Sequence, residues 1–300
     1  PPSRRPQRPD HRRELLLVDR ATSGHRLPSK QGVGLARKIG CDLAVALIAA
    51  GRVAQPWIWT TDADVRVPGD YFQVVAEVPD EVSALTLFFE HRGGEESRVT
   101  EAASLYDLSL RYYVQGLAFA RSPYAFHTVG STLVVRALSY AQVRGFPRRQ
   151  AAEDFYLLDK LAQVGPVYRA RNRPLQIVAR CSDRVPFGTG NALSKLLAGE
   201  RALETFEIYD PRIFSELGRW LDALDRLVEH RNPERCLPDL ARGSVLSAED
   251  RDEVASRIGL LDAARTAVRS SPRDDVVRRH LYTWWGGFRT LKFVHALRDL

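Results

Sequence analysis

Apolar residues recur at three- and four-residue steps from Gly34 to about Gly51, at Ala36, Ile39, Leu43 and Leu47. That spacing predicts a helix with one buried face. Short apolar runs flank it. Leu15-Leu16-Leu17-Val18 ends at Asp19 and a Ser-Gly turn, and Trp57-Ile58-Trp59-Thr60-Thr61 ends at an acidic turn. Both read as buried strands. Leu85–Phe89, Ser131–Val135, Pro166–Arg169 and Leu175–Ala179 add further strands. Between them, Pro68 onward suits a short helix with Pro in its first turn. Helices are also predicted over residues 99–120, from about Ala137 to Val143, and over Glu153–Val164, where Phe155, Leu158, Leu161 and Ala162 form the apolar stripe. Strands alternating with helices predict an α/β fold with a mostly parallel sheet flanked by helices. After about residue 190 the strand signals stop. Helical patterns over 192–208, 211–230, 247–269 and 272–298 predict a helical C-terminal subdomain. The expected organisation is therefore a flexible Pro/Arg-rich segment over 1–13, an α/β domain over 14–190, and a helical part over 191–300.

Composition narrows the class. Hydrophobic residues make up 44% and charged residues 27% of the 300 residues, enough to bury a sizeable core. No apolar run approaches the roughly 20 residues of a membrane span, and no signal-peptide pattern opens the chain. The expectation is a soluble, cytoplasmic protein. The chain begins at Pro1 and contains no Met, which suggests a piece of a longer product. The net charge is +7, but residues 1–30 carry eight basic against three acidic side chains, leaving +2 for the rest. A basic flanking segment without a zinc-finger or RNP-type signature argues against nucleic acid as a partner. Cys41, Cys181 and Cys236 are three and far apart. They predict neither a disulfide framework nor a zinc knuckle, and fit a reducing compartment.

Three segments carry candidate chemistry. Asp62-Ala63-Asp64 follows an apolar strand, so it should lie past that strand's C-terminal end, where open α/β sheets bind ligands. In extended chain, residues two apart point the same way, and two carboxylates can share a hard cation such as Mg²⁺ or Mn²⁺. Asp250-Arg251-Asp252 has the same spacing but follows Ser247 and opens a charged helix, where capping explains it. Glu153-Asp154 also opens a helix. The dipole alone accounts for acids there; the alternative is a general base at the mouth of a cleft. The third segment is Gly32-Val33-Gly34-Leu35-Ala36-Arg37-Lys38-Ile39-Gly40. Arg37 stands where a dinucleotide fingerprint has its third glycine. It reads as a Gly-rich turn into a helix, with an N-terminus facing an anion or simply a loop with a surface Arg.

In this order the segments resemble the family 2 glycosyltransferases of GT-A fold. Gly32, Ala36, Arg37 and Gly40 match that family's G-x-x-x-A-R-N-x-G stretch, with Lys38 in place of Asn. Trp57–Asp64 resembles the strand ending in D-x-D, and Val67–Phe72 the segment after it. Gly130–Arg136 with Arg144-Gly145-Phe146-Pro147 resembles the acceptor-side stretch, and Glu153–Leu158 the E-D motif, about 90 residues beyond the D-x-D. The likeness covers roughly residues 14–180. The family's opening P-x-x-N-E-like turn is not found, so the first strands and the pocket for the donor's base are expected to be missing.

The resemblance implies transfer of a sugar from a nucleotide-sugar donor to an acceptor hydroxyl, with inversion. Asp64, supported by Asp62, would hold a divalent cation on the donor diphosphate. Arg37 would lie near the nucleotide. Asp154 would be the base, and Glu153 would orient or replace it. Arg184, in the Cys181–Gly190 stretch, is a further donor-contact candidate, with a plain polar connection as the alternative. The acceptor is open: carbohydrate, lipid-linked or other. Sugar-phosphate nucleotidyl transfer and a non-catalytic carbohydrate- or partner-binding fragment are the competing readings. Tyr282, Trp284, Trp285, Phe288 and Phe293 make the last helix aromatic. They suit packing onto the α/β part or a membrane-surface contact at the inner membrane.

Overall fold

A computed structural model describes residues 14–28, 30–93, 96–171, 173–182, 188–199 and 202–300. The expected flexible segment 1–13 lies outside them. The fold is α/β, with two small mixed sheets among many helices. The first half runs α1 (Gly32–Ala49), β1 (Trp57–Thr60), β2 (Val65–Arg66), β3 (Ala84–Thr86), β4 (Phe89–Arg92), α2 (Ser97–Phe119), β5 (Leu133–Arg136), α3 (Ala137–Gln142) and α4 (Glu153–Leu161). Then follow β6 (Val167–Arg169), β7 (Leu175–Val178), α5 (Thr189–Leu196), α6 (Pro211–His230), α7 (Cys236–Ala241), α8 (Ala248–Ile258), α9 (Leu260–Ser270) and α10 (Asp274–Arg298).

The larger sheet has the order β1-β5-β3-β6 and the smaller β2-β7-β4. The mostly parallel sheet expected from alternation is not what forms. β5 pairs antiparallel with both β1 and β3, β2 pairs antiparallel with β7, and only β3 with β6 and β4 with β7 are parallel. The reason is that β5 inserts between β1 and β3 against their direction. β1, β3 and β6 still point one way, so their C-terminal ends share one edge with the start of β5. Leu133, Val134 and Val135 of β5 are fully buried, as a central strand covered on both faces requires.

Two other expectations change. Among the described residues Leu15–Val18 pairs with no strand, and its side chains are exposed; an apolar run without a partner edge remains coil. Leu85–Phe89 divides between β3 and β4, in different sheets. Helix α1 forms where periodicity placed it, but its inner face is turned. Ala36 and Leu43 are exposed, while Gly34 and Cys41 are buried with Ala44, Val45 and Ile48 packed on the core. Arg37 shares that inner face, which is why apolar spacing misread the register.

Gly34 lies against the loop before α4. Its amide donates to the Arg149 carbonyl at 3.0 Å. A Cβ there would come within 2.5 Å of the Pro147 and Arg149 carbonyl oxygens. Backbone cannot swing aside as a side chain can, so Gly34→Ala should cost about 1–3 kcal/mol. Urea denaturation checks this; an unchanged midpoint contradicts it.

The helical part does not stand apart. One core joins Leu117, Leu133 and Leu157 to Trp220, Leu224, Val254, Trp285 and Phe293. Helix α6 starts at Asp210, whose carboxylate accepts from the Arg212 amide, with Pro211 next. Helix α8 starts at Ser247, whose hydroxyl accepts from the Asp250 amide at 3.0 Å and donates to the Asp250 carboxylate at 2.7 Å. Asp250-Arg251-Asp252 is thus a helix start. In α10, Trp285 and Phe293 are fully buried, while Phe288 is partly exposed. The helix is broken at Gly286 (φ 50°, ψ 165°). The amide of Gly287 donates to Asp159 of α4 at 2.6 Å, so a side chain of α4 caps the second half of α10. Among the described residues no helix is long and apolar enough to cross a membrane.

Candidate active site

The site begins where β1 ends. Thr60 donates from its hydroxyl to the Gly130 carbonyl at 2.7 Å, tying the end of β1 to the start of β5. The chain then turns, with the Val65 amide donating to the Asp62 carbonyl at 3.2 Å. The turn, rather than extended chain, sets the carboxylates on different partners. Asp62 accepts from Arg37 Nη2 at 2.6 Å. Asp64 pairs with Arg180, just past β7, at 2.8 Å.

Arg37 is the centre of the arrangement. Its other terminal nitrogen donates to Glu153 at 2.7 Å. Its side chain is 12% exposed, Glu153 is 5% exposed and Asp62 is 48% exposed. One guanidinium therefore joins the acidic turn after β1 to the first residue of α4. Burial opposes the charge on Arg37, but Asp62 and Glu153 outweigh it and hold the group above its usual range. Glu153 is pushed up to about 7 by burial and then by neighbouring Asp154, against the pull of Arg37. Asp154 is raised by burial, opposed by the Phe155 amide, Arg37 and the Gly130 amide. Its Oδ1 accepts from the Phe155 amide at 2.7 Å. Just before the pair, Ala152 sits in the left-handed region at φ 59°, a backbone strain of roughly 1–3 kcal/mol of the kind that gathers at functional sites.

These shifts give a sign to the pH dependence of stability. The folded chain keeps the Glu153 proton to about 7, whereas an ordinary glutamate releases it near 4.5. Its contribution is complete below the lower value and is lost as pH rises through the upper one. Stability should fall from about pH 5 to about pH 8, and Glu153→Gln should flatten that slope. An identical slope in the variant, measured by urea denaturation, contradicts the assignment.

Gly130 makes room for Arg37. A Cβ at Gly130 would lie 1.5 Å from Arg37 Nη1. Gly130→Ala should therefore expel the guanidinium from its two carboxylates. The expected result is a folded chain of lower stability, since Glu153 then stays buried without its cation, and an unchanged urea midpoint contradicts it.

Of the residues singled out from sequence, Arg37, Asp62, Glu153 and Asp154 come together. Asp64 is on the same turn but directed to Arg180. Arg184 lies outside the described residues. The Gly-rich turn offers no open anion site at Gly34, since its amide is bonded to Arg149. Lys38, where the resembled stretch has Asn, pairs with Asp42 at 3.1 Å and donates to the Arg144 carbonyl at 3.1 Å.

Sequence reasoning placed Gly130 in the acceptor-side stretch without giving it a role of its own, and missed Arg180 and Tyr106. Tyr106 is raised by burial, opposed by its hydrogen bond to Thr189, and feels Asp107 and Asp154. Next to it, buried His91 bonds Asp107 at 2.6 Å and Thr189 at 3.1 Å. These residues lie 16 and 98 positions apart, so no local motif marks them. Arg180 carried the one available signal, a cation just beyond a predicted strand.

Two hollows open nearby. One, of about 680 Å³, is bounded by Glu153 and Asp154 together with parts of α2 and α10. The other, of about 520 Å³, is lined by Arg111, Arg169 and Arg171 at the ends of β3 and β6. His127 borders both. Burial first, then Arg111 and Arg169, lowers it to about 4, so it is neutral at pH 7.

The expected divalent cation meets a limited donor set. Among the described residues no group of three His, Cys, Asp or Glu side chains could hold a metal ion. Asp62 is committed to Arg37. Asp64, a third exposed and paired with exposed Arg180, fits an ion bound through one carboxylate plus phosphate oxygens of a substrate, a common mode for Mg²⁺. In this structure the two carboxylates are engaged by different arginines, Asp62 by Arg37 and Asp64 by Arg180.

Comparisons with protein-family models, curated proteins and solved structures return no match.

Proposed function

We propose that the chain transfers a glycosyl group from a nucleotide-sugar donor to an acceptor hydroxyl, on a scaffold of the GT-A type. The observation that carries this reading is the Arg37 bridge. It joins the acidic turn after β1 to the Glu153-Asp154 pair, about 90 residues away in sequence. The resemblance assigns those two segments to donor and acceptor, and a single side chain spans them. The shared C-terminal edge of β1, β3 and β6 supports it too, since that edge is where α/β sheets receive ligands.

The reaction follows from the placement. The donor's diphosphate would lie at the turn of Asp62 and Asp64, with Arg180 alongside. A Mg²⁺ or Mn²⁺ bound at Asp64 would neutralise charge on the leaving diphosphate. Asp154 takes the proton of the acceptor hydroxyl as its oxygen attacks the anomeric carbon from the opposite side. The bond from that carbon to the diphosphate oxygen breaks, its electron pair leaves with the nucleoside diphosphate, and the anomeric centre inverts. Glu153 and Arg37 hold Asp154's surroundings and set its charge. Because burial holds the Asp154 proton above the usual carboxylate range, kcat/KM should climb with pH as that proton is lost. A rate independent of pH between about 5 and 8 contradicts this.

The deciding experiment offers the chain nucleotide-sugars of each base with Mg²⁺ and with Mn²⁺, and measures the product released. Nucleoside diphosphate is expected. Pyrophosphate formed from a sugar phosphate and a nucleoside triphosphate would point to nucleotidyl transfer instead. Neither product from any donor would point to a non-catalytic domain.

A further inference from the structure

The 680 Å³ cavity beside Asp154 is of the size that takes a drug-sized molecule, roughly 300–1,000 Å³. Its walls are mainly apolar. Leu110, Val114 and Leu117 come from α2, Phe126 from the loop before β5, Phe155 from α4 and Leu291 from α10. Among the described residues, most of the charged groups at its border are engaged. Asp159 accepts from the Gly287 amide at 2.6 Å. Arg149 stacks 4.1 Å over the Tyr156 ring. Glu153 is held by Arg37. Asp154 differs, for its hydrogen bonds come from backbone amides.

Polar side chains also border it, Thr128, Gln150 and Thr290 among them, but a polyol filling it would set most of its hydroxyls against the apolar walls, each costly without a partner. A hydroxyl at Asp154 with an apolar body behind it matches both the carboxylate and the apolar wall. We infer that the acceptor is amphipathic: a hydroxyl carried by a hydrophobic aglycone or acyl-type chain, with the apolar part lying between α2 and α10. This rests on the glycosyl-transfer reading and names the acceptor class for it. It also gives the C-terminal helix a task. The break at Gly286, fixed by the Asp159 cap, sets the direction of the second half of α10 and so places Leu291 on the cavity wall.

The test is calorimetric titration with D-glucose, phenyl β-D-glucoside and the hexyl, octyl and decyl β-D-glucosides below their micelle concentrations. Glucose should give no measurable binding. Hexyl to octyl should tighten binding with a stoichiometry of one, by about threefold to fourfold per methylene. Continued gain to decyl marks a lipid-like chain, and phenyl binding more tightly than hexyl marks an aromatic aglycone. Leu291→Trp and Leu110→Trp, which place an indole in the cavity, should each weaken octyl glucoside at least tenfold without lowering the melting temperature. Affinity independent of chain length, or untouched by both substitutions, overturns the inference. Adding donor separates it from the reading beneath. Equal transfer to glucose and octyl glucoside defeats the acceptor class and leaves glycosyl transfer standing. Tight octyl binding with no transfer from any donor defeats glycosyl transfer.

Discussion

Asp154→Asn is expected to lower the transfer rate by about a thousandfold, within the 10²–10⁴ that a positioned base contributes. Donor binding should be spared, because the proposed arrangement puts Asp154 toward the acceptor and Asp62 and Asp64 toward the donor. Stability should hold or rise slightly. Burial already disfavours the Asp154 charge, and a neutral amide of the same shape relieves that cost. Initial rates of nucleoside diphosphate release, with a melting curve on the same sample, check both parts. Near-parental turnover would remove Asp154 from the chemistry. A collapsed melting temperature would mean that the carboxylate holds the fold instead.

Arg37→Met is the second large effect. It leaves Glu153 buried beside Asp154 with no cation, and removing one partner of a buried pair typically costs about 3–5 kcal/mol. The loss should be greatest above about pH 7, where Glu153 is ionised, and should shrink toward about pH 5, where it is neutral. The double variant Arg37→Met/Glu153→Leu removes both charges and should regain most of the stability. It should not regain activity, since the link from Asp62 to α4 is gone. Urea denaturation of the two singles and the double gives the coupling directly. Additive losses would show that Arg37 and Glu153 do not act as a unit.

Much of the fold was legible because it depends on local signals. Trp57–Thr60 and Leu133–Arg136 are apolar runs bounded by turns, and they became β1 and β5. Helix α6 formed over the helical pattern of 211–230. Sheet direction was not legible. Alternating strands and helices suggest parallel pairing, yet nothing local says that β5 will slip between β1 and β3 the other way round. Leu15–Val18 failed for a related reason, since a strand needs an edge to join and the run does not contain one.

The site was legible in its acids but not in its wiring. Asp62, Asp64, Glu153 and Asp154 stand out by spacing. That Arg37 would turn inward and hold two of them is a tertiary fact, and an Arg on an apolar helix face reads as surface. Gly130 is recognisable only once Arg37 is beside it, because its requirement is space for a guanidinium. The cavity walls come from α2, α4 and α10, more than 150 residues apart at their extremes. No window of sequence holds that information.

A crystal structure of the chain with Mg²⁺ and a nucleoside diphosphate tests the single-cleft arrangement most directly. The diphosphate should sit at the turn of Asp62 and Asp64 beside Arg180, with a clear path from its terminal phosphate to Asp154. A diphosphate seated instead in the hollow of Arg111, Arg169 and Arg171, or walled off from Asp154, would contradict it.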